Sequence, residues 1–256
     1  TIQGVFLTHF HSDHIDGLGE MGTIRWAGGD NLEPLPVYGP QGVQKVVNGL
    51  NQAYSQDFVY RNDHHGDTVA PRSGAGLRAS PFDKPAMGEL QTVLEEGGLK
   101  VEVLAVDHSP VEPAVGYRFS YKGRSLLITG DTVKLANIEQ FAKGVDRLVH
   151  EALAPNLVHM MNAAAKNLGN QIRAKITHDV LDYHASPVEA AETARDAGVG
   201  HLLYYHIVPP LVIPGQKALY LNGADKIFPD YTIGQDGVSF SLPAGSNEII
   251  LTREKM

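Results

Sequence analysis

The chain has 256 residues, 43% hydrophobic and 20% charged, with no cysteine and a formal net charge of −8. That length buries one sizeable core in an ordinary soluble domain, and the composition excludes a disulfide framework and a thiolate metal site. The acidic balance argues against a large polyanionic partner, and no apolar run approaches the length of a membrane span.

Ile2, Val5, Phe6 and Leu7 predict a buried strand over residues 2–8. No signal peptide is expected, because Thr1 leads straight into that strand, and a cysteine-free chain suits a reducing or an oxidising compartment alike. The strand runs into Thr8-His9-Phe10-His11-Ser12-Asp13-His14, three imidazoles and a carboxylate within six residues. Neutral imidazole nitrogen and ionised carboxylate are preferred ligands of a borderline divalent cation. Histidines at i and i+2 could reach one ion, and Asp13 with His14 a second. The plainer reading is a solubilising His-rich loop or a helix start capped by Asp13. Such tracts do not follow a buried strand and then find matching donors downstream.

Asp16-Gly17-Leu18-Gly19 reads as the start of a short helix, and Leu35–Pro40 as an extended segment. Val43, Val46, Val47, Leu50 and Tyr54 form a helical stripe over 42–55. Residues 56–95 lack a clear period and read as surface loop, with His64 and His65 as candidate pocket-lining groups. Leu99–Val106 alternates as a strand and ends at His108. A hairpin of 115–121 and 125–129 follows, ending at Gly130-Asp131-Thr132, where glycine permits a sharp turn. Residues 145–150 form a strand ending at His150-Glu151. Residues 156–173 read as one helix with Leu157, Met160, Met161, Ala164 and Leu168 on its face, the methionines as core filler. Ser186-Pro187-Val188-Glu189 is a capping box opening a helix that Gly198 stops. A strand over 201–205 ends at His206, and a last hairpin is expected from 231–233 and 238–242.

Metal-binding residue types thus recur where strands end, so residues distant in sequence can converge at one sheet edge. His9-x-His11-x-Asp13-His14, then His108, Asp131 in Thr-Gly-Asp-Thr, and His206 resemble the metallo-β-lactamase superfamily. Leu148-Val149-His150-Glu151-Ala152 and His184-Ala185-Ser186 are similar to its ribonuclease Z branch, which includes arylsulfatase-type and phosphodiesterase-type relatives. The resemblance implies an α/β fold, an αββα sandwich formed by the whole chain as one domain. It implies two divalent ions, zinc first, with manganese or iron admitted by all-N/O ligation. His9, His11 and His108 would bind one ion; Asp13, His14 and His206 the other; Asp131 would bridge them. Such a pair shares a hydroxide nucleophile, which Asp13 would orient. His184 would donate to the departing oxygen or stabilise the oxyanion. His150 and Glu151 would support the ligands, and Tyr183 would line the pocket.

Two departures shape the expected function. The ligand motif begins at residue 9, so the opening strands of the first sheet are expected to come from a preceding segment or from association, such as a homo-oligomer. Only 22 residues (109–130) separate His108 from Asp131, too few for the tRNA-gripping arm found in many ribonuclease Z enzymes. The expectation is therefore a dinuclear hydrolase of small or medium esters: a phosphodiester, a sulfate ester or a lactone. The alternatives are a tRNA 3′-processing endonuclease and, from another class, a non-catalytic metal-stabilised binding module.

Overall fold

The computed structural model describes residues 2–29 and 31–253. The chain divides into two units, residues 1–84 and 85–256. Among the described residues no helix is long and apolar enough to cross a membrane.

The first unit runs β1 (Val5–Phe6), α1 (Ser12–Ile15), α2 (Leu18–Gly29), β2 (Leu35–Pro40), α3 (Val43–His65) and β3 (Leu77–Phe82). Its three strands are parallel, in the order β1-β2-β3. Parallel neighbours require crossovers, which α2 and α3 supply. Leu7, Leu35, Val37 and Leu77 from the strand segments pack with Leu18, Val43 and Val47 from the helices. The buried Trp26 indole donates to the carbonyl of Pro71 at 2.6 Å, so its one polar atom is satisfied.

The second unit runs β4 (Leu90–Glu96), β5 (Leu99–Ala105), β6 (Val115–Tyr121), β7 (Arg124–Ile128), α4 (Ala136–Phe141), β8 (Arg147–Leu153), α5 (Pro155–Asn167), α6 (Gln171–Asp179), α7 (Pro187–Ala197), β9 (Leu202–Val208), α8 (Gln216–Leu221), α9 (Ala224–Ile227), β10 (Tyr231–Ile233), β11 (Val238–Ser241) and β12 (Ile250–Arg253). Seven strands form one sheet, β10-β9-β8-β7-β6-β5-β4, while β11 and β12 form a separate antiparallel pair. Strands β4 to β7 meander; β7 to β10 are parallel, joined through helices. Because β5 is two antiparallel steps from β7, β5, β7, β8 and β9 all point their C-terminal ends to the same edge. Ala190, Ala191 and Ala194 of α7 are fully buried in the core formed with Leu148, Leu202 and Tyr204. Small residues there let the helix lie close to the sheet. The capping box is present in full, and Gly198 closes the helix with φ of 60°.

Five expectations are corrected. The stretch 56–95 is not loop: α3 continues to His65, and β3 and β4 follow. The buried Asn62 side chain donates to the Ala70 carbonyl and the Asp67 carboxylate and accepts from Arg72, anchoring the helix end without an apolar stripe. The helix over 156–173 breaks at Gly169, with φ of 69°, into α5 and α6. Its buried face is Leu157, Val158, Asn162 and Ala165, while Met160 is exposed rather than core filler. The last hairpin does not form: β10 adds to β9, and β11 pairs with β12. The opening strand is short, Val5–Phe6 only.

Candidate metal centre

In the first unit the donors follow β1 directly. His9 is fully buried and its Nδ1 sits 3.1 Å from the Thr8 hydroxyl, leaving Nε2 3.1 Å from His11 Nδ1. The single helical turn α1 brings His14 back over His9, ring centroids 4.1 Å apart. Asp13 is exposed, its Oδ2 3.4 Å from His14 Nε2. His9 and His11 thus face each other through ring nitrogens, and Asp13 lies beside His14. His64 and His65 lie at the exposed end of α3, stacked edge-on against each other. Among the described residues neither enters a group of three converging donors.

In the second unit the donors gather at the shared edge of strand ends, where open α/β sheets bind ligands. His108 follows β5, Asp131 follows β7, Glu151 lies on β8 and His206 on β9. Backbone bonds stitch the first two loops together: the Val133 amide donates to the Asp107 carbonyl at 3.0 Å and the Asp107 amide to the Thr132 hydroxyl at 3.3 Å. His108 donates from Nδ1 to the Tyr183 carbonyl at 2.9 Å, which turns its Nε2 the other way, 3.9 Å from Asp131 Oδ2. His206 Nδ1 lies 3.5 Å from Asp131 Oδ1. Asp131, His184 and His206 each offer a ligand atom within 4.8 Å of the others.

His206 owes its place to a bulge. The β8–β9 register passes from Glu151↔Tyr205 to Ala152↔Ile207, stepping over His206. Its φ is 44°, a left-handed value that costs a non-glycine residue about 1 kcal/mol or more. Gly130, at φ 67°, makes the turn that presents Asp131.

Behind these donors stands Glu151, fully buried. Its Oε1 accepts from His184 Nδ1 at 2.9 Å and from the amides of Thr132 at 3.1 Å and Ala185 at 3.2 Å. Burial, and then the charge of Asp131, push its carboxyl well above the usual range. His150 points away from the site; its Nδ1 bonds the Glu151 carbonyl at 2.7 Å, and burial lowers its pKa to about 4. Tyr183 contributes its carbonyl and an edge-on ring contact to His108, 4.7 Å between centroids. The supporting amides of Thr132 and Ala185 carry no side-chain signature and were not foreseeable as such.

Ligands bonded to one tetrahedral ion at about 2.1 Å stand about 3.4 Å apart. The 3.5 Å Asp131–His206 separation and the 3.1 Å His9–His11 separation match that spacing, and the 3.9 Å Asp131–His108 separation exceeds a hydrogen bond. An all-N/O donor set, with imidazoles oriented by backbone or carboxylate partners, suits a divalent cation.

The comparisons agree. A Beta-lactamase superfamily domain matches residues 1–207. A Ribonuclease Z of Mycobacterium sp. (strain KMS) is 35% identical over 229 residues, 89% of this chain and 73% of that protein. Among solved structures, the metallo-beta-lactamase fold protein YhfI from Bacillus subtilis matches with TM-score 0.55 at 18% identity, covering 90% of this chain and 73% of its own. Human tRNase Z, short form, matches with TM-score 0.54 at 17% identity, covering 80% and 72%. The chain belongs to the metallo-β-lactamase superfamily of metal-dependent hydrolases, and Ribonuclease Z proteins are among its relatives.

Proposed function

We propose that the chain is a dinuclear metal-dependent phosphodiesterase of the ribonuclease Z type, with RNA 3′ ends as the substrate. The observation that carries this reading is the Asp131 carboxylate, nearly excluded from solvent, with one oxygen beside His206 and the other beside His108. A carboxylate so flanked is suited to bridge two ions. On this reading His9, His11 and His108 hold one, and Asp13, His14 and His206 the other. The identity to Ribonuclease Z relatives supports a phosphodiester over the sulfate ester or lactone also expected from the sequence, and over the binding module.

Bound there, divalent ions would activate a water and draw charge from the scissile phosphate. The chain's own groups do the rest. Asp13, an exposed acceptor, orients the attacking water. His184, fixed by Glu151 through Nδ1, turns Nε2 outward, where a proton can pass to the departing 3′ oxygen. Glu151 fixes the ring's orientation and tautomer through that bond.

A second reading keeps the chemistry and shortens the substrate. The interval 109–130 is spent on β6 and β7, which leaves no tRNA-gripping arm there, and the net charge is −8. A small phosphodiester fits those facts. The metal-loaded protein, assayed on a 3′-extended tRNA precursor and on bis-p-nitrophenyl phosphate before and after chelation, separates the readings. Chelator-sensitive precursor cleavage supports the first; turnover of the small ester alone supports the second. No turnover of either sinks both.

A further inference from the structure

Beside His206 the second unit holds a cavity of about 610 Å³ that the donor set does not explain. Ile207, Leu211, Val212, Val238 and Phe240 line it, with Gln235 and Asp236 at the same wall. Among the described residues no lysine or arginine lines it, which does not suit a phosphate cradle. His206 belongs both to this lining and to the donor group with Asp131 and His184. A group bound in the cavity is thereby attached to whatever reacts at that edge.

Two aromatic rings, Tyr205 and Phe240, are among the lining residues, and Phe240 is braced. Arg147, 2% exposed, lays its guanidinium 3.3 Å from the ring centroid. Among the described residues none of its three nitrogens has a hydrogen-bond partner, and the stacking offsets part of the cost of burying the charge. Arg147 takes one face of the ring and the His201 ring packs against it at a tilt, 5.7 Å between centroids, so the rest of its surface is what meets the cavity. Arg124 fixes the segment after β11: its Nη1 donates to the carbonyls of Pro243 at 3.1 Å, Glu248 at 3.1 Å and Ser246. Phe240 is therefore braced by Arg147 and by the anchored segment that follows it, so this ring need not be ordered on binding.

We propose that this cavity receives a nucleobase of the phosphodiester substrate, stacked on Phe240, with its polar edge read by Gln235 and Asp236. Apolar walls and an aromatic ring suit an uncharged planar group. An amide and a carboxylate supply the donor and acceptor that a base edge requires. A phosphate or sulfate in this place would face Asp236 with no lysine or arginine among the described lining residues. The proposal rests on the phosphodiesterase reading, but its test does not need turnover.

The metal-loaded protein is titrated calorimetrically with AMP and with ribose 5-phosphate, which share the phosphate and sugar and differ in the base. AMP is expected to bind at least tenfold more tightly. Phe240→Ala should remove that preference while leaving ribose 5-phosphate unchanged. Because Phe240 also braces the fold, Val212→Asp serves as a second variant: Val212 is 79% exposed, and a carboxylate there should weaken AMP alone. Equal affinity for the two ligands, or a preference that survives both variants, overturns the proposal. Turnover of bis-p-nitrophenyl phosphate, measured in parallel, reports on the phosphodiesterase reading separately. Turnover without base preference sinks only the cavity, and base preference without turnover sinks only the chemistry.

Discussion

Glu151 and His184 form a carboxylate–imidazole pair, Oε1 to Nδ1 2.9 Å, with the carboxylate fully buried and the same oxygen also holding the Thr132 and Ala185 amides. Replacing the carboxyl by an amide of the same shape isolates its effect on His184. Glu151→Gln is expected to lower kcat on bis-p-nitrophenyl phosphate about 10- to 100-fold with little change in KM. His184→Ala should cost at least as much. If Glu151 acts through His184, the double variant is no slower than His184→Ala alone. Multiplicative losses would separate the two residues.

Metal content tests the donor assignment directly. The wild-type protein should bind two divalent ions per chain by elemental analysis. His206→Ala and His9→Ala, one in each unit, should each reduce that number by about one, and Asp131→Asn should weaken both. A ligand present at 100 times its Kd stabilises the native state by about 2.7 kcal/mol, so chelation should lower Tm by several degrees. A chelator without effect on Tm would argue against bound metal.

Much of this was readable beforehand because donors at strand ends are a sequence-local signal. His108, Asp131 and Glu151 each follow or end an apolar run, and parallel strands carry such ends to one edge. The place of His206 was readable, but its mode of presentation was not. The bulge at His206 depends on how β9 registers against β8, and alternation within one strand does not name the strand beside it. The same gap explains the misassigned hairpin, since β10 and β11 alternate plausibly yet pair with different strands. The far half of α3 was lost for another reason. Its stability comes from Asn62 side-chain bonds to residues 67–72, a tertiary device that leaves no helical period. Phe240 gave no signal at all, because a lone aromatic in a late strand reads as ordinary core.

Acid should destabilise the protein through two histidines held neutral. His150 and His201 have pKa values of about 4, lowered by burial, and for His201 also by the Arg147 charge. Unfolded, each titrates near 6.5. Between those values the unfolded chain binds more protons, so their contribution to stability is complete above pH 6.5 and is lost as pH falls towards 4. The slope is up to about 1.4 kcal/mol per pH unit for each histidine. Urea unfolding of the metal-free protein at pH 7.5, 6.5, 5.5 and 4.5 should show this decline, and His201→Gln should make it shallower. A flat profile would mean that neither ring is kept neutral.

Arg124 ties β7 to the chain end through geometry that lysine lacks. One guanidinium nitrogen reaches three carbonyls, of Pro243, Ser246 and Glu248, while the other pairs with Asp146 at 2.8 Å. Asp146 in turn accepts from the Ser125 amide at 2.7 Å, so the ion pair is built into the β7 edge. Lysine could keep the pair or reach a carbonyl, but a single ammonium cannot span both. Arg124→Lys should therefore cost about 1–3 kcal/mol, seen as a lower urea midpoint with unchanged slope. The loss should be local first. Limited proteolysis is expected to cut within 242–249 in the variant at protease levels that leave the wild type intact, since the carbonyls there lose their common donor. Cleavage at the same rate in both proteins would show that the β11–β12 pairing alone holds this segment.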